Sequence, residues 1–331
     1  METKGEIFGE TDIEVMRTYF RNKSKKLVSK LTTLKEAVSE IIHDGDYIAT
    51  GGFGMIRIPT AVLHEIVRQG KKNLAFSGHT STHDCEILVA GRCFNRCDAA
   101  YVVGLEALGI PKITRKYFEN EVELVEWTNA SLAWRIKAAA MGIPFLPVRT
   151  MLGTDTGQYS AAKEIECPFT GKRLFAVPAL YPDVAIIHVH EADIYGDSHI
   201  KGIFVSDPDL ARASKKVIIT TEKLVSEEYF RNNPANTTIP FYLVDAVIEV
   251  PYGSYPGNMP YEYYLDVEHL KAWLNAEQDA EEYQAFIKRN IFNCSDFNDY
   301  LNLNGGIEKL RKLRDEEYLI NQKRENKNGR L

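Results

Sequence analysis

Apolar positions recur at two spacings along this chain, and the two alternate. In "TTLKEAVSEIIHDGDYIATGG", Leu34, Ala37, Val38, Ile41 and Ile42 fall at helical spacing, with Thr32 or Thr33 ahead of them as a cap. Gly45 stops that helix, and "DYIATGG" reads as a short buried strand. The spacing then predicts a helix over 59–69, with Pro59 suited to its first position. A strand in "NLAFSG", a helix over 83–90 and a strand in "DAAYVVG" follow. Next come a helix over 130–141, the runs "PFLPV" and "RLFAVPA", and the strongest apolar run, "DVAIIHVHEA" (Asp183 to Ala192). The helix "DPDLARASK" leads into "KVIITTEKLV", and "IPFYLVDAVIEVP" is the last strong strand. Strands alternating with helices of about ten residues predict βαβ units, hence an α/β fold with a mostly parallel sheet flanked by helices.

The ends differ from this middle. Residues 1–30 are polar and mildly amphipathic, with a basic cluster "RNKSKK", and read as an N-terminal helical arm outside the main core. Residues 31–255 form the α/β domain. Residues 256–331 read as a charged, helical C-terminal extension whose last part is a surface helix fraying into disorder. No internal repeat is evident.

Composition narrows the function classes. The 331 residues are 26% charged and 44% hydrophobic, ordinary for a globular protein large enough for a full core. A net charge of −6 argues against a nucleic-acid partner, which asks for a basic face. No apolar run has the length of a membrane span, and the acidic start "METKGEIFGETDIEVM" lacks a signal peptide's apolar region. Five scattered cysteines do not suggest a disulfide framework, so a reducing cytoplasm is the expected location.

The stretch "GGFGMIRIP" asks for a chemical explanation. Gly51, Gly52 and Gly54 end a strand just before a helix, where an open parallel sheet binds ligands. A dinucleotide fingerprint fails because Arg57 stands where its third glycine belongs, and a phosphate-cradling loop lacks its lysine and hydroxyl residue. "HEIVR" opens like a zinc-protease helix, but Arg68 replaces the second histidine. Two readings remain: backbone N–H groups facing an oxyanion or a carbonyl, or a turn that needs glycine for steric reasons alone. Arg57 could hold a substrate carboxylate or a coenzyme phosphate, or pair with Glu65 or Asp84. Ser77, Gly78, His79 and Thr80 could line a substrate, with Thr80, Ser81 or Thr82 capping the next helix.

Other constellations read as structure. His79 and His83 are four apart, yet the break between them spoils a shared helical face. His188 and His190 lie in a buried-strand pattern, and Cys93 and Cys97 lack a second pair, so no metal site is expected. Glu222 ends a strand and suits the capping of the short helix that follows.

"GGFGMIRIP" closely resembles the signature of the first subunit of class I CoA-transferases. The resemblance runs on in order through "MGIPFLPV", "CPFTGKRLFAVPALYPDVAIIHVHEAD", "SDPDLARASKKVIITTEKLVS", "IPFYLVDAVIEVPYGSYP" and "YQAFIKRNIFNCSDFNDYL", over roughly residues 31 to 305. It looks most like the alpha subunit of glutaconate CoA-transferase and its relatives. The resemblance implies the CoA-transferase type of α/β fold and a homologous beta subunit, in a heterotetramer or larger αβ assembly. It further implies an active site between the chains, where a partner glutamate attacks an acyl-CoA. An acyl–glutamyl anhydride and then a glutamyl-CoA thioester form, by ping-pong nucleophilic catalysis. Coenzyme A is then a substrate, with no permanently bound cofactor, and Gly52, Phe53 and Gly54 present backbone to the oxyanion or thioester.

The chain itself offers poor candidates for that glutamate. In "FENEVE", Glu119 and Asn120 are followed by Glu121 where the family has glycine. Glu106, after Gly104 at a strand end, could instead be the base of an acyl-CoA hydrolase or C–C lyase on the same scaffold, or could pair with Arg115 or Lys116. A non-catalytic scaffold subunit is the third reading.

Overall fold

The computed structural model describes residues 3–102 and 111–328, with side chains to residue 318. The strands are β1 (Tyr47–Thr50), β2 (Leu74–Gly78), β3 (Phe94–Ala99), β4 (Glu123–Glu126), β5 (Phe145–Val148), β6 (Lys163–Glu166), β7 (Arg173–Pro178), β8 (Val184–Ala192), β9 (Ser198–His199), β10 (Lys216–Leu224) and β11 (Ala246–Glu249). The main sheet runs β11-β10-β8-β1-β2-β3-β4, all parallel, with β9 antiparallel on the end of β8. The expected mostly parallel α/β sheet is therefore present.

Helices follow the same order: α1 (Ile13–Asn22), α2 (Leu34–Ile41), α3 (Thr60–Arg68), α4 (His83–Ala90), α5 (Lys112–Glu121), α6 (Asn129–Met141), α7 (Asp155–Tyr159), α8 (Asp207–Ala213) and α9 (Glu227–Asn232). The C-terminal set is α10 (Val267–Ala276), α11 (Ala280–Ile287), α12 (Phe297–Leu303) and α13 (Gly306–Asn328). Their ends follow local chemistry. Thr33 caps α2 in a reciprocal box with Glu36, and Gly142 closes α6 in the left-handed region.

Both faces of the sheet are buried. Ile48, Ile186 and Ile218 join one core with α3, α4 and the C-terminal helices. Their neighbours Ala49, Ile187 and Ile219 point to a second core with Leu132, Val177 and Leu210. Successive strand residues face opposite ways, so a doubly covered strand is apolar throughout. That is why the run in β8 stands out in the sequence.

Four expectations change. Residues 3–30 are no outlying arm: Met16 of α1 is buried in the second core, and Lys23 Nζ pairs with Asp245 at 2.7 Å. The C-terminal helices likewise complete the first core through Trp273, Ile291 and Tyr300. "PFLPV" and "RLFAVPA" leave the main sheet and build a separate antiparallel sheet, β5-β7-β6. The strand expected in "DAAYVVG" lies earlier, at β3, and the long last strand shortens to β11 because Phe241–Leu243 form a 3-10 turn.

Candidate active site

Chain crossings leave β1 in opposite directions, towards β2 on one side and from β8 to β10 on the other. The crevice beyond the carboxyl ends of β1 and β8 is thus the topological switch point, where open α/β sheets bind ligands. The glycine turn occupies it, and Gly51 N–H donates to Ile186 O in β8 at 2.8 Å.

The turn is a tight hairpin. Phe53 and Ile56 exchange two backbone hydrogen bonds of 3.0 Å, with Gly54 and Met55 between them. Gly54 has φ +60° and Met55 does not take positive φ, the pattern of a type II′ turn. Gly52 has φ +83°, and a Cβ there would lie 2.4 Å from Ile56 O, so only glycine closes this hairpin.

Its amides are largely committed. Gly52 N–H donates to Asp207 Oδ1 at 2.9 Å, Phe53 N–H to Ile56 O at 3.0 Å and Gly54 N–H to Thr80 O at 3.0 Å. The expectation that these three N–H groups face an oxyanion is corrected accordingly. Among the described residues, the turn's N–H group without a hydrogen-bond partner is that of half-buried Met55. Sequence reasoning misses it, because the hairpin register decides which amide points outward.

The turn is stapled to the segment between β2 and α4. Thr82 Oγ1 donates to Gly54 O at 2.7 Å, and the Phe53 ring meets His79 edge-on at 5.2 Å. His79 Nε2 donates to Asn129 O at 3.0 Å, which leaves Nδ1 a buried acceptor, and burial lowers the ring's pKa, so it is neutral. Thr80, with φ +55°, bonds Asn129 Oδ1 at 3.0 Å. Structure therefore brings His79 and Thr80 beside the turn. Ser77 and Gly78 do not line a ligand surface. Both are buried in β2, and a Cβ on Gly78 would lie 2.6 Å from Asp84 Oδ2.

Arg57 is also corrected. Its side chain is 1% exposed, and both terminal nitrogens bind Asp207 at 2.9 Å. It reaches neither a substrate carboxylate nor Glu65 or Asp84. Glu65 pairs with Arg68 at 2.6 Å, while Asp84 holds Ser81 Oγ, Thr50 Oγ1 and two backbone N–H groups at the start of α4.

Glu119 is on α5, paired with Arg115 at 2.9 Å, and Glu106 lies outside the described residues. Glu222 does not cap α9. It accepts from His188 Nε2, Tyr263 Oη and Tyr252 N–H instead. Both ring nitrogens of His190 are engaged as well, by Pro260 O at 2.8 Å and Lys201 N–H at 3.0 Å. His79 and His83 do not share a helical face, since Thr80 takes positive φ between them.

At the ends of β8 and β10 a polar cavity of about 310 Å³ includes Glu222, Lys201 and Glu262. Its charges are largely cross-paired, Lys201 with Glu191 and Glu262, and Arg314 with Glu262. No helix among the described residues is long and apolar enough to cross a membrane.

Likeness to known proteins bears on this site. The Coenzyme A transferase family model matches residues 31–250. The alpha subunit of glutaconate CoA-transferase from Acidaminococcus fermentans is 33% identical, over 86% of this chain and 94% of that one. The crystal structure of that glutaconate coenzyme A-transferase superposes with a TM-score of 0.82 at 32% identity, covering 86% of this chain and 96% of its own. An uncharacterized protein of Archaeoglobus fulgidus is 44% identical over 96% of this chain and 72% of that one. The crystal structure of a variant of the decarboxylase AibA/AibB matches with a TM-score of 0.70 at 29% identity, over 79% of this chain and all of the matched one.

Proposed function

Because this chain belongs to the coenzyme A transferase family, we propose that it is the alpha subunit of a heteromeric CoA-transferase. It moves CoA between an acyl-CoA and a carboxylic acid, and the likeness to a glutaconate enzyme points to dicarboxylic acids. The observation that supports this reading is the hairpin at the switch point, with one outward amide and no carboxylate left over. Asp207 and Asp84, the carboxylates at the turn, are both fully engaged. The nucleophile therefore comes from a homologous beta subunit.

On this reading the partner's glutamate attacks the thioester carbonyl, and the carbonyl oxygen becomes a tetrahedral oxyanion. Met55 N–H donates to that oxygen, and His79 and Thr80 border the acyl group. Collapse expels CoA thiolate and leaves an acyl–glutamyl anhydride. The thiolate attacks the glutamyl carbonyl, releasing the first acid and forming a glutamyl-CoA thioester. A second carboxylate then takes the acyl-transfer role in reverse and leaves with CoA. A preorganised donor of this kind is worth about 3–4 kcal/mol in the transition state.

Steady-state kinetics test the assignment. The chain co-purified with its beta subunit should give parallel double-reciprocal lines when acyl-CoA and acceptor acid are varied together. Intersecting lines, or CoA release that needs no acceptor acid, would reject it.

A further inference from the structure

Asp207, the first residue of α8, is 1% exposed. Its Oδ1 accepts from Gly52 N–H and from Arg57 Nη1, each at 2.9 Å, and its Oδ2 accepts from Arg57 Nη2 at 2.9 Å. These partners bracket the hairpin, since Gly52 precedes Phe53 and Arg57 follows Ile56. One carboxylate thus closes a ring around the turn. A Cβ on Gly51 would stand 2.6 Å from Oδ1, so this close approach also depends on glycine. Arg57 is held at φ +58°, a region arginine rarely takes, and its Nη2 reaches Ile203 O at 3.3 Å in the loop before α8.

A second connection fixes the far side of the turn. Asn258 N–H donates to Met55 O at 2.7 Å, and Arg57 N–H to Asn258 O at 2.9 Å. Met55 thus has its carbonyl anchored while its N–H stays without a partner. The two bonds from Arg57 to Asp207 are parallel and charge-assisted, a geometry that specifies position as well as strength.

We propose that Asp207 is the positioning residue of the glycine turn, holding Gly52 and Arg57 so that the Met55 N–H between them is aimed at the reacting carbonyl oxygen. This rests on the transferase reading above. Asp207 touches no substrate. It acts through the hairpin, and a misplacement of about 1 Å at such a donor costs on the order of 100-fold in rate.

The test compares D207N with the double variant D207N/R57Q, each in complex with the beta subunit. The single variant leaves a buried guanidinium uncompensated and is expected to lose stability. The double variant removes both charges, and its amides fill similar space. It should recover most of the lost stability, keep KM within about two-fold, and still show kcat about 10- to 100-fold below wild type. Deuterium uptake by the peptide over residues 51–58 should rise in both variants relative to the rest of the chain. A double variant with wild-type kcat, or unchanged uptake in that peptide, overturns the proposal. Should the wild-type complex transfer no CoA, the transferase reading fails, while the uptake measurement still decides whether Asp207 holds the turn.

Discussion

His188 on β8 and Glu222 on β10 stand 2.8 Å apart, Nε2 to Oε1, at the carboxyl end of the sheet. The same carboxylate accepts from Tyr263 Oη and Tyr252 N–H, each at 2.7 Å, and His188 Nδ1 meets Thr220 Oγ1 at 2.8 Å. Glu222 therefore ties the segment 252–263 to the sheet. That segment in turn carries Asn258, which pairs with Met55 and Arg57 of the glycine turn. Glu222→Ala should leave three donors without an acceptor and cost roughly 2–4 kcal/mol. Tyr263→Phe, which removes one donor, should cost only about 1 kcal/mol. Denaturant unfolding of both variants checks the order, and equal losses would contradict it.

Asp98 and Arg135 make a second buried tie, 2.6 Å apart with each side chain 1% exposed. Tyr47 Oη and Trp127 Nε1 also donate to Asp98, and the guanidinium lies 4.2 Å from the Trp127 ring centroid. Asp98→Ala leaves a positive charge buried and should cost about 3–5 kcal/mol. Thermal unfolding of the variant measures this, and a loss below about 1 kcal/mol would show the pair to be dispensable.

These ties explain what is legible in the chain and what is not. The doubly buried β8 and the boundaries of α4 and α6 follow from local apolar spacing and capping, and they stand where expected. β3 lies off its expected place because Arg96 and Asp98 break its apolar alternation, and Asp98 is buried only because Arg135, 37 residues away, neutralises it. Arg57 resembles a ligand-binding cation in the sequence for the same reason, since its partner Asp207 is 150 residues distant. The glycine turn itself is visible as chemistry. Which of its amides remains available depends on hydrogen bonds to residues as far away as Thr80 and Asp207.

Acid should destabilise the fold through buried neutral histidines. Burial pushes His190 and His269 down to about 4 and His83 to about 3, from an ordinary value of 6.5. Unfolded, each imidazole takes up a proton near 6.5. Folded, it resists until pH has dropped to the lower value. Their contribution is therefore fully present above about pH 6.5 and is lost as pH falls towards 4, by roughly 1.4 kcal/mol per pH unit for each group. Unfolding free energies at pH 7, 6 and 5 should decline accordingly, and His190→Gln should flatten the slope by one proton. An unchanged slope in that variant would contradict the assignment of His190.

Gly52→Ala should abolish the turn rather than adjust it, because the added Cβ meets the backbone of Ile56 and φ is positive. Activity of the complex is expected to fall more than about 100-fold, the scale of a lost oxyanion donor. Gly45→Ala is the control: it too has positive φ, but nothing lies within 4 Å of the added Cβ, so activity should be retained despite some loss of stability. Comparable loss in both would mean that backbone strain alone explains the effect.

Replacing the Met55 amide by an ester, with the α-hydroxy analogue of methionine, removes one N–H and leaves the side chain intact. It should lower kcat about 100- to 1,000-fold with little change in KM. Wild-type kcat in the ester variant would move the donor elsewhere.

The most direct measurement is the intact mass of both chains after the complex meets an acyl-CoA and is quenched. The account predicts a CoA-sized adduct, lost on borohydride treatment, confined to the beta subunit. An adduct on this chain, or free CoA accumulating with no adduct on either of the two, would contradict it.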